Sequence, residues 1–209
     1  MRTVRDGTGY AAGNTDGAPL VVQGDISGTV NVSDRVQRFI AAAQAVAATV
    51  ECIPRSPDSI AAAIARIAAT SNADRIAIAE ARDVPEQLFE RCRQLPGVVS
   101  GRSREDLTTA DIGVTDTFAA VATTGTICVR VDAAFSGYIS LLARIHVAVV
   151  APERIIERPG DLFRADCLGG EGLRENFVYI TGPSATADMG PLVRGVHGPH
   201  FLHILVLSD

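Results

Sequence analysis

Short apolar runs alternate along this chain with stretches in which apolar residues recur every three or four positions. The helical stretches begin after residues suited to capping, at Ser33 and again at Ser56, and the apolar runs include residues 50–53 and 75–79. These runs are nearly continuous rather than alternating, which is typical of parallel strands buried on both sides. We therefore predict an α/β fold: an open, mostly parallel sheet with helices on both faces.

The chain divides into an N-terminal arm and one domain. Residues 1–32 are rich in Gly, Thr, Asp and Asn, and they form either a small hairpin over residues 20–32 or a partly disordered arm. Residues 33–209 contain no internal repeat and no linker, and their length is enough to bury a substantial core. We predict a single α/β domain over residues 33–209.

Charge and hydropathy exclude several classes of partner. The net charge is −5, whereas phosphate backbones are bound by clustered basic residues, so no nucleic-acid partner is expected. No apolar run approaches the ~20 residues that cross a bilayer, and the first residues lack the apolar core of a secretory signal. We expect a cytoplasmic protein without a membrane partner.

The lysine and cysteine contents limit the chemistry. All 19 basic residues are arginines, so there is neither a Schiff-base lysine nor a P-loop lysine. Cys52, Cys92, Cys128 and Cys167 stand singly, without the paired spacing that binds zinc or iron–sulfur clusters. We expect no cofactor and no metal, and cysteines that are mostly reduced and structural.

The C-terminal residues 176–209 have the order of a βαβ unit. An apolar run leads into a Gly-Pro loop, a short polar helix is expected next, and a second Gly-Pro loop precedes another apolar run. In such units ligands bind beyond the carboxyl ends of the strands.

Two glycine loops are the candidate ligand-binding elements. In the C-terminal loop, glycine lets the backbone approach a ligand, and hydroxyls at a helix start favour an anion, although an ordinary helix cap has the same residues. A second, hydroxyl-rich turn contributes if the fold brings it beside the first. The predicted ligand-binding residues are Thr124, Gly125, Thr126, Gly182, Pro183, Ser184, Thr186, Asp188, His197 and Gly198.

Three histidines lie close together near the C-terminus. His197, His200 and His203 suggest a metal site, but Gly198-Pro199 prevents a helix from aligning the first two, and no carboxylate stands nearby. We therefore favour His197 as a ligand-facing residue. The catalytic residues, if there are any, are unknown; Asp188 and His197 are the acid/base candidates of this unit.

Two separated stretches resemble one known family. The stretch YITGPSATADMGPLVRGVHGPHFLHILVL resembles the signature of the lactate-utilisation (LUD) domain family, and GVTDTFAAVATTGTICV resembles its other motif. The resemblance covers residues 33–209. It implies a fold similar to sugar-phosphate isomerases and CoA transferases, with glycine loops at the carboxyl edge of the sheet. It also implies an accessory subunit of bacterial lactate oxidation to pyruvate, which binds a small carboxylate and works with iron–sulfur partner subunits.

Several positions depart from the family pattern. Thr123 stands where the family has glutamate, and Ala185 and His200 stand where arginine is usual. Arg144, in place of a proline, is expected to restore a positive charge near the site. These changes indicate a divergent member. Two alternatives stay open: a ligand-sensing or scaffold protein without catalysis, and an independent enzyme acting on a phosphorylated or acyl substrate.

Overall fold

The computed structural model describes residues 31–100, 103–131, 136–164, 176–186 and 192–208. The predicted arm therefore lies outside the described residues, except for Asn31 and Val32. Asp188 and Cys167 also lie outside them. Among the described residues, no helix is long and apolar enough to cross a membrane.

The secondary structure alternates as the pattern predicts. The strands are Thr49–Pro54 (β1), Ile76–Ile78 (β2), Val98–Val99 (β3), Ile112–Asp116 (β4), Ala119–Val121 (β5), Thr126–Val131 (β6), Ile145–Val150 (β7), Ile155–Ile156 (β8), Asn176–Ile180 (β9), Ala185–Thr186 (β10), Val193–Arg194 (β11) and Phe201–Ser208 (β12). The α-helices are Val32–Ala45 (α1), Pro57–Ser71 (α2), Arg104–Thr109 (α3) and Ser136–Leu142 (α4). Four 3-10 helices are Glu86–Phe89, Cys92–Gln94, Pro152–Arg154 and Pro159–Phe163.

Capping residues set the starts of the first two helices. The side chain of Asn31 accepts from the Ser33 N–H, so α1 begins earlier than the capping by Ser33 that the sequence suggests. The Ser56 hydroxyl accepts from the Ser59 N–H, as expected for α2. The helical segments that begin at Glu86, Cys92 and Pro159 are short 3-10 helices.

The main sheet has six parallel strands in the order β1-β12-β7-β4-β2-β3. Strands β4 and β7 are buried along their whole length. The C-terminal strand β12 lies between β1 and β7, with Ile204 opposite both Val50 and Ala148. The predicted mostly parallel sheet is therefore confirmed.

Both faces of this sheet are covered. On one face, α2 and two 3-10 helices bury residues such as Ile64 and Phe89 against Ile112 and Val147. On the other face, α1 packs through Phe39, while α3 and α4 cover the neighbouring part of the sheet. Helices on both faces are thus also confirmed.

A second sheet of four strands, in the order β8-β5-β6-β9, completes that other face. Strand β6 pairs antiparallel with both β5 and β9. The apolar residues of β6 are similar in composition to those of the parallel strands. The connection 122–125 between β5 and β6 is far too short for a parallel crossover, so the chain reverses there. Composition alone therefore did not reveal a separate sheet.

The prediction of a C-terminal βαβ unit is wrong. Strand β9 belongs to the second sheet and β12 to the main sheet, so they are not neighbours. Between them, β10 and β11 pair antiparallel where a helix was expected. The Ser184 N–H donates to the Pro199 carbonyl and the Gly195 N–H to the Ser184 carbonyl (both 2.9 Å). The backbone groups of Ser184 therefore pair with a later part of the chain and do not begin a helix.

Candidate functional site

A cavity of about 720 Å³ lies between α4 and the C-terminal loops. Its wall is formed by parts of α4, by residues 178–185 of β9 and the following loop, and by residues 197–199. His146 and Leu202 contribute from the main sheet, and Val131 from the second sheet. The volume is within the range of small-molecule sites.

Two close backbone contacts position the Gly-Pro loops. Gly182 has φ +74°, and a Cβ there would lie 2.2 Å from the Val46 carbonyl oxygen at the end of α1. A Cβ on Gly198 would lie 3.2 Å from the Ser184 Cβ. Together with the hydrogen bond from Ser184 to Pro199, these contacts hold the two loops against each other.

The cavity lies at the amino ends of main-sheet strands. His146 and Leu202 are the second residues of β7 and β12 and are paired in register. The expectation that the glycine loops lie at the carboxyl edge of the parallel sheet is therefore wrong for this cavity. The physical reason is that the Gly198-Pro199 loop leads into β12, and the Gly182 loop follows a strand of the other sheet.

The hydroxyl-rich turn touches the cavity wall without forming it. The Thr126 Oγ1 lies 2.7 Å from the Oγ1 atoms of both Thr124 and Thr181, and Thr181 lines the cavity. Gly125 has φ +64° and packs against the backbone of α1, where a Cβ would lie 2.2 Å from the Ala43 nitrogen. The fold thus brings the two predicted loops together, but the hydroxyl-rich turn reaches the cavity only through Thr181.

The other predicted residues divide into three groups. Thr186 is half-buried in β10 and is not part of the wall, and Asp188 lies outside the described residues. The predicted residues that line the cavity are Gly182, Pro183, Ser184, His197 and Gly198.

The three C-terminal histidines have different surroundings. His197 is exposed at the cavity, and the His200 ring covers Gly195. His203 is half-buried in β12, where burial lowers its pKa and the nearby Glu51 carboxylate opposes this shift. Within the described part of the chain, no group of three or more His, Cys, Asp or Glu side chains could hold a metal ion.

His146 is one of the cavity residues that sequence reasoning missed. It is fully buried, and its Nε2 lies 2.9 Å from the Thr115 Oγ1 on the adjacent strand β4. Burial lowers its pKa to about 3, so the ring is neutral near neutral pH. Its Nδ1 has no hydrogen-bond partner among the described residues. The only signal in the sequence was a histidine inside the apolar run 145–150.

The described wall of the cavity carries no Asp, Glu, Arg or Cys side chain. It combines apolar side chains with hydroxyls and the two imidazoles of His146 and His197. Arg144, which we expected to supply a positive charge, instead donates from Nη2 to the Ser71 carbonyl at the end of α2 (2.9 Å). The arrangement suits a ligand with an apolar body and a few hydrogen-bonding atoms.

Comparison with protein families matches the LUD domain to residues 36–207. The chain belongs to this family. The match confirms the resemblance carried by the two motifs, and it includes every described residue of the cavity wall.

Curated relatives are similar to this chain over part of their length. A protein named Lactate utilization protein C from Bacillus subtilis (strain 168) is 32% identical over 104 residues, which cover 48% of this chain and 43% of that protein. Its namesake from Shouchella clausii (strain KSM-K16) is 33% identical over 113 residues, covering 53% and 49%. The chain spans about half the length of the curated relatives it matches.

One solved structure has a similar fold. The crystal structure of a DUF162 family protein from Deinococcus radiodurans superposes with a TM-score of 0.63 at 20% sequence identity. The match covers 86% of this chain and 99% of that chain. At this identity the match shows the fold alone.

Proposed function

We propose that this LUD-domain chain acts in lactate utilisation as an accessory subunit that binds a small organic ligand. The observation that carries the proposal is that residues of the C-terminal signature stretch form much of the wall of the 720 Å³ cavity. The names of the curated relatives suggest the pathway. In this proposal, iron–sulfur partner subunits transfer the electrons of lactate oxidation to pyruvate. This chain binds a small organic ligand in its cavity.

The ligand we propose is a carboxylic acid with an apolar body. A three-carbon acid would occupy only a small part of a cavity of this size. A carboxylate is costly to bury without a cation, so it belongs at the open side of the cavity, beside Ser184 and the exposed His197. Thr124, Gly125 and Thr126 then support the site through Thr181 rather than by contact with the ligand.

The chemistry of the wall favours binding over catalysis. His146 has a pKa of about 3 and is therefore a poor general base near neutral pH. His197 is exposed, and the other described residues of the wall provide hydroxyls and apolar groups. For this reason we prefer an accessory subunit to an independent enzyme. A phosphorylated substrate fits least well, since the described wall holds no cation.

Growth on lactate tests the pathway. A strain of the source organism that lacks this chain should not grow with lactate as the sole carbon source, but should grow normally on succinate. The intact gene should restore growth. Normal growth of the deletion strain on lactate would refute the role in lactate utilisation.

Ligand-induced stabilisation tests the cavity. A ligand that binds only the folded protein raises its thermal midpoint. We expect stabilisation by medium-chain acids such as hexanoate and 5-oxohexanoate, and none by sugar phosphates. Gly198→Val should abolish the effect, because Gly198 packs between Ser184 and Leu141. Gly160→Val is the matched control, since a Cβ on Gly160 meets no atom within 4 Å.

A further inference from the structure

A buried hydrogen-bonded pair, His146 and Thr115, reaches the cavity wall through His146. His146 on β7 and Thr115 on β4 are both fully buried, and the Nε2 and Oγ1 atoms lie 2.9 Å apart. His146 is also part of the cavity wall. Its second ring nitrogen, Nδ1, is buried and has no partner among the described residues, which is rare for a polar atom in a folded protein.

The Thr115 hydroxyl decides which ring nitrogen carries the proton. A hydroxyl has one proton to donate, and within the described chain its hydrogen-bond partner is the His146 Nε2. If Thr115 donates to Nε2, then Nε2 uses its lone pair and the proton of the neutral ring is on Nδ1. The pair therefore leaves a single N–H donor, held in a fixed orientation by two adjacent strands of the parallel sheet.

We infer that the Nδ1–H of His146 is a ligand-binding donor, and that it takes an uncharged oxygen acceptor such as a keto or amide carbonyl. The inference rests on the proposed function only in that the cavity binds a ligand; it is independent of the lactate pathway. Thr115 is a positioning residue, because it acts through the imidazole and does not line the cavity.

The surroundings favour an uncharged acceptor over a carboxylate. The described wall holds no cation, and burial keeps the imidazole neutral by lowering its pKa to about 3. A carboxylate at this depth would lose its hydration without gaining an opposite charge. The one other buried polar side chain of the described wall, Ser140, already donates its hydroxyl to the Gly137 carbonyl (2.9 Å). A carbonyl oxygen needs one donor, and His146 supplies it.

Nitrogen-15 NMR of the imidazole tests the donor without any ligand. The free protein should show the tautomer protonated at Nδ1. Thr115→Val, which replaces the hydroxyl by a methyl of similar size, should shift the ring toward protonation at Nε2, whereas Thr115→Ser should keep the original tautomer. An Nε2-protonated ring in the free wild-type protein, or no change in Thr115→Val, would overturn the inference.

A matched pair of ligands tests the acceptor. 5-Oxohexanoate and hexanoate differ only by a keto oxygen remote from the carboxylate, so we expect the oxo acid to bind about tenfold more tightly, as measured by calorimetry. In His146→Leu this preference should disappear while hexanoate still binds. His146→Gln, which keeps an N–H donor, is the second variant and should retain part of the preference. Equal affinities in the wild type, a preference that persists in His146→Leu, or no binding of either acid would overturn the inference.

The two proposals fail in different ways. If the deletion strain grows normally on lactate while the oxo acid still binds through His146, the pathway is wrong and the donor assignment holds. If growth requires this chain but the wild-type ring is protonated at Nε2, the donor assignment is wrong and the pathway holds.

Discussion

The neutral, buried imidazole of His146 makes the stability of the protein depend on pH in a definite direction. Its pKa is about 3 in the folded protein, against 6.5 for an ordinary histidine. Below about pH 6.5 the unfolded chain gains a proton at this residue that the folded protein does not take up. The stability due to His146 is therefore fully present above this pH and is lost as the pH falls toward 3.

We predict that the free energy of unfolding of the wild type falls more steeply on acidification than that of His146→Gln. From about pH 7 to about pH 5 the difference between the two proteins should shrink by about 2 kcal/mol. Urea unfolding at several pH values measures this. Because all other titrating groups are present in both proteins, parallel curves would contradict the assignment of a depressed pKa to His146.

At Gly182 the constraint is steric and conformational. We predict that Gly182→Ala destabilises the protein by about 2 kcal/mol or more, because the residue has a positive φ and the new Cβ would meet the Val46 carbonyl. Thermal unfolding measures the loss. Gly160→Ala should change the stability by less than about 0.5 kcal/mol, since its Cβ would be in open space. Similar losses in both variants would show that Gly182 does not hold the loop against α1.

At the level of elements, one ion pair joins the loop after β2 to strand β6. The Arg130 guanidinium makes hydrogen bonds of 2.9 to 3.1 Å with the Asp83 carboxylate, whose side chain is only 3% exposed. It also stacks on the Phe118 ring, 4.0 Å from its centroid. The same loop donates three backbone N–H groups, from residues 82–84, to the Asp116 carboxylate at the end of β4. These contacts link the carboxyl end of the main sheet to the second sheet.

We predict that Asp83→Ala lowers the free energy of unfolding by about 3 kcal/mol, because it leaves the half-buried Arg130 without its carboxylate. Arg91→Ala is the control: its contact with Asp58 is on the surface, where such pairs contribute less than about 1 kcal/mol. Chemical denaturation of both variants measures the two losses of unfolding free energy. Losses of equal size would mean that the buried pair does not stabilise the link between the sheets.

At the scale of the whole molecule, the main sheet and the four-stranded second sheet share one apolar cluster. Phe39 of α1 is fully buried among residues of both sheets, including Ile127 of the second sheet and Ile204 of the main sheet. Because neither sheet buries this face without the other, the described domain should unfold as one unit.

We therefore predict that Phe39→Ala lowers the stability by about 3–5 kcal/mol and shifts the transitions of far-UV circular dichroism and tyrosine fluorescence equally. Val32→Ala, on an exposed position of the same helix, should change it by less than about 1 kcal/mol. Separate transitions for the two probes in Phe39→Ala would show that the sheets unfold independently.

Much of this structure was open to prediction from local patterns. The period of the apolar residues indicated α1 and α2, the continuous apolar runs indicated buried parallel strands, and the two glycine motifs identified the family. These signals are local, since periodicity and capping depend on residues within one or two turns. The second sheet was missed because the strands of both sheets are equally apolar, so their partners depend on contacts distant in sequence.

By itself, then, the sequence determined the alternation of elements, the mostly parallel sheet and the LUD-type signature loops. Only the tertiary structure decided that those loops close a cavity at the amino ends of β7 and β12, and that Arg144 turns away from it. It also placed His146, 31 residues from Thr115 along the chain, within hydrogen-bond distance of that hydroxyl. The physical reason is that strand order and register pair residues across the sheet, and no local pattern records which distant residue will stand opposite.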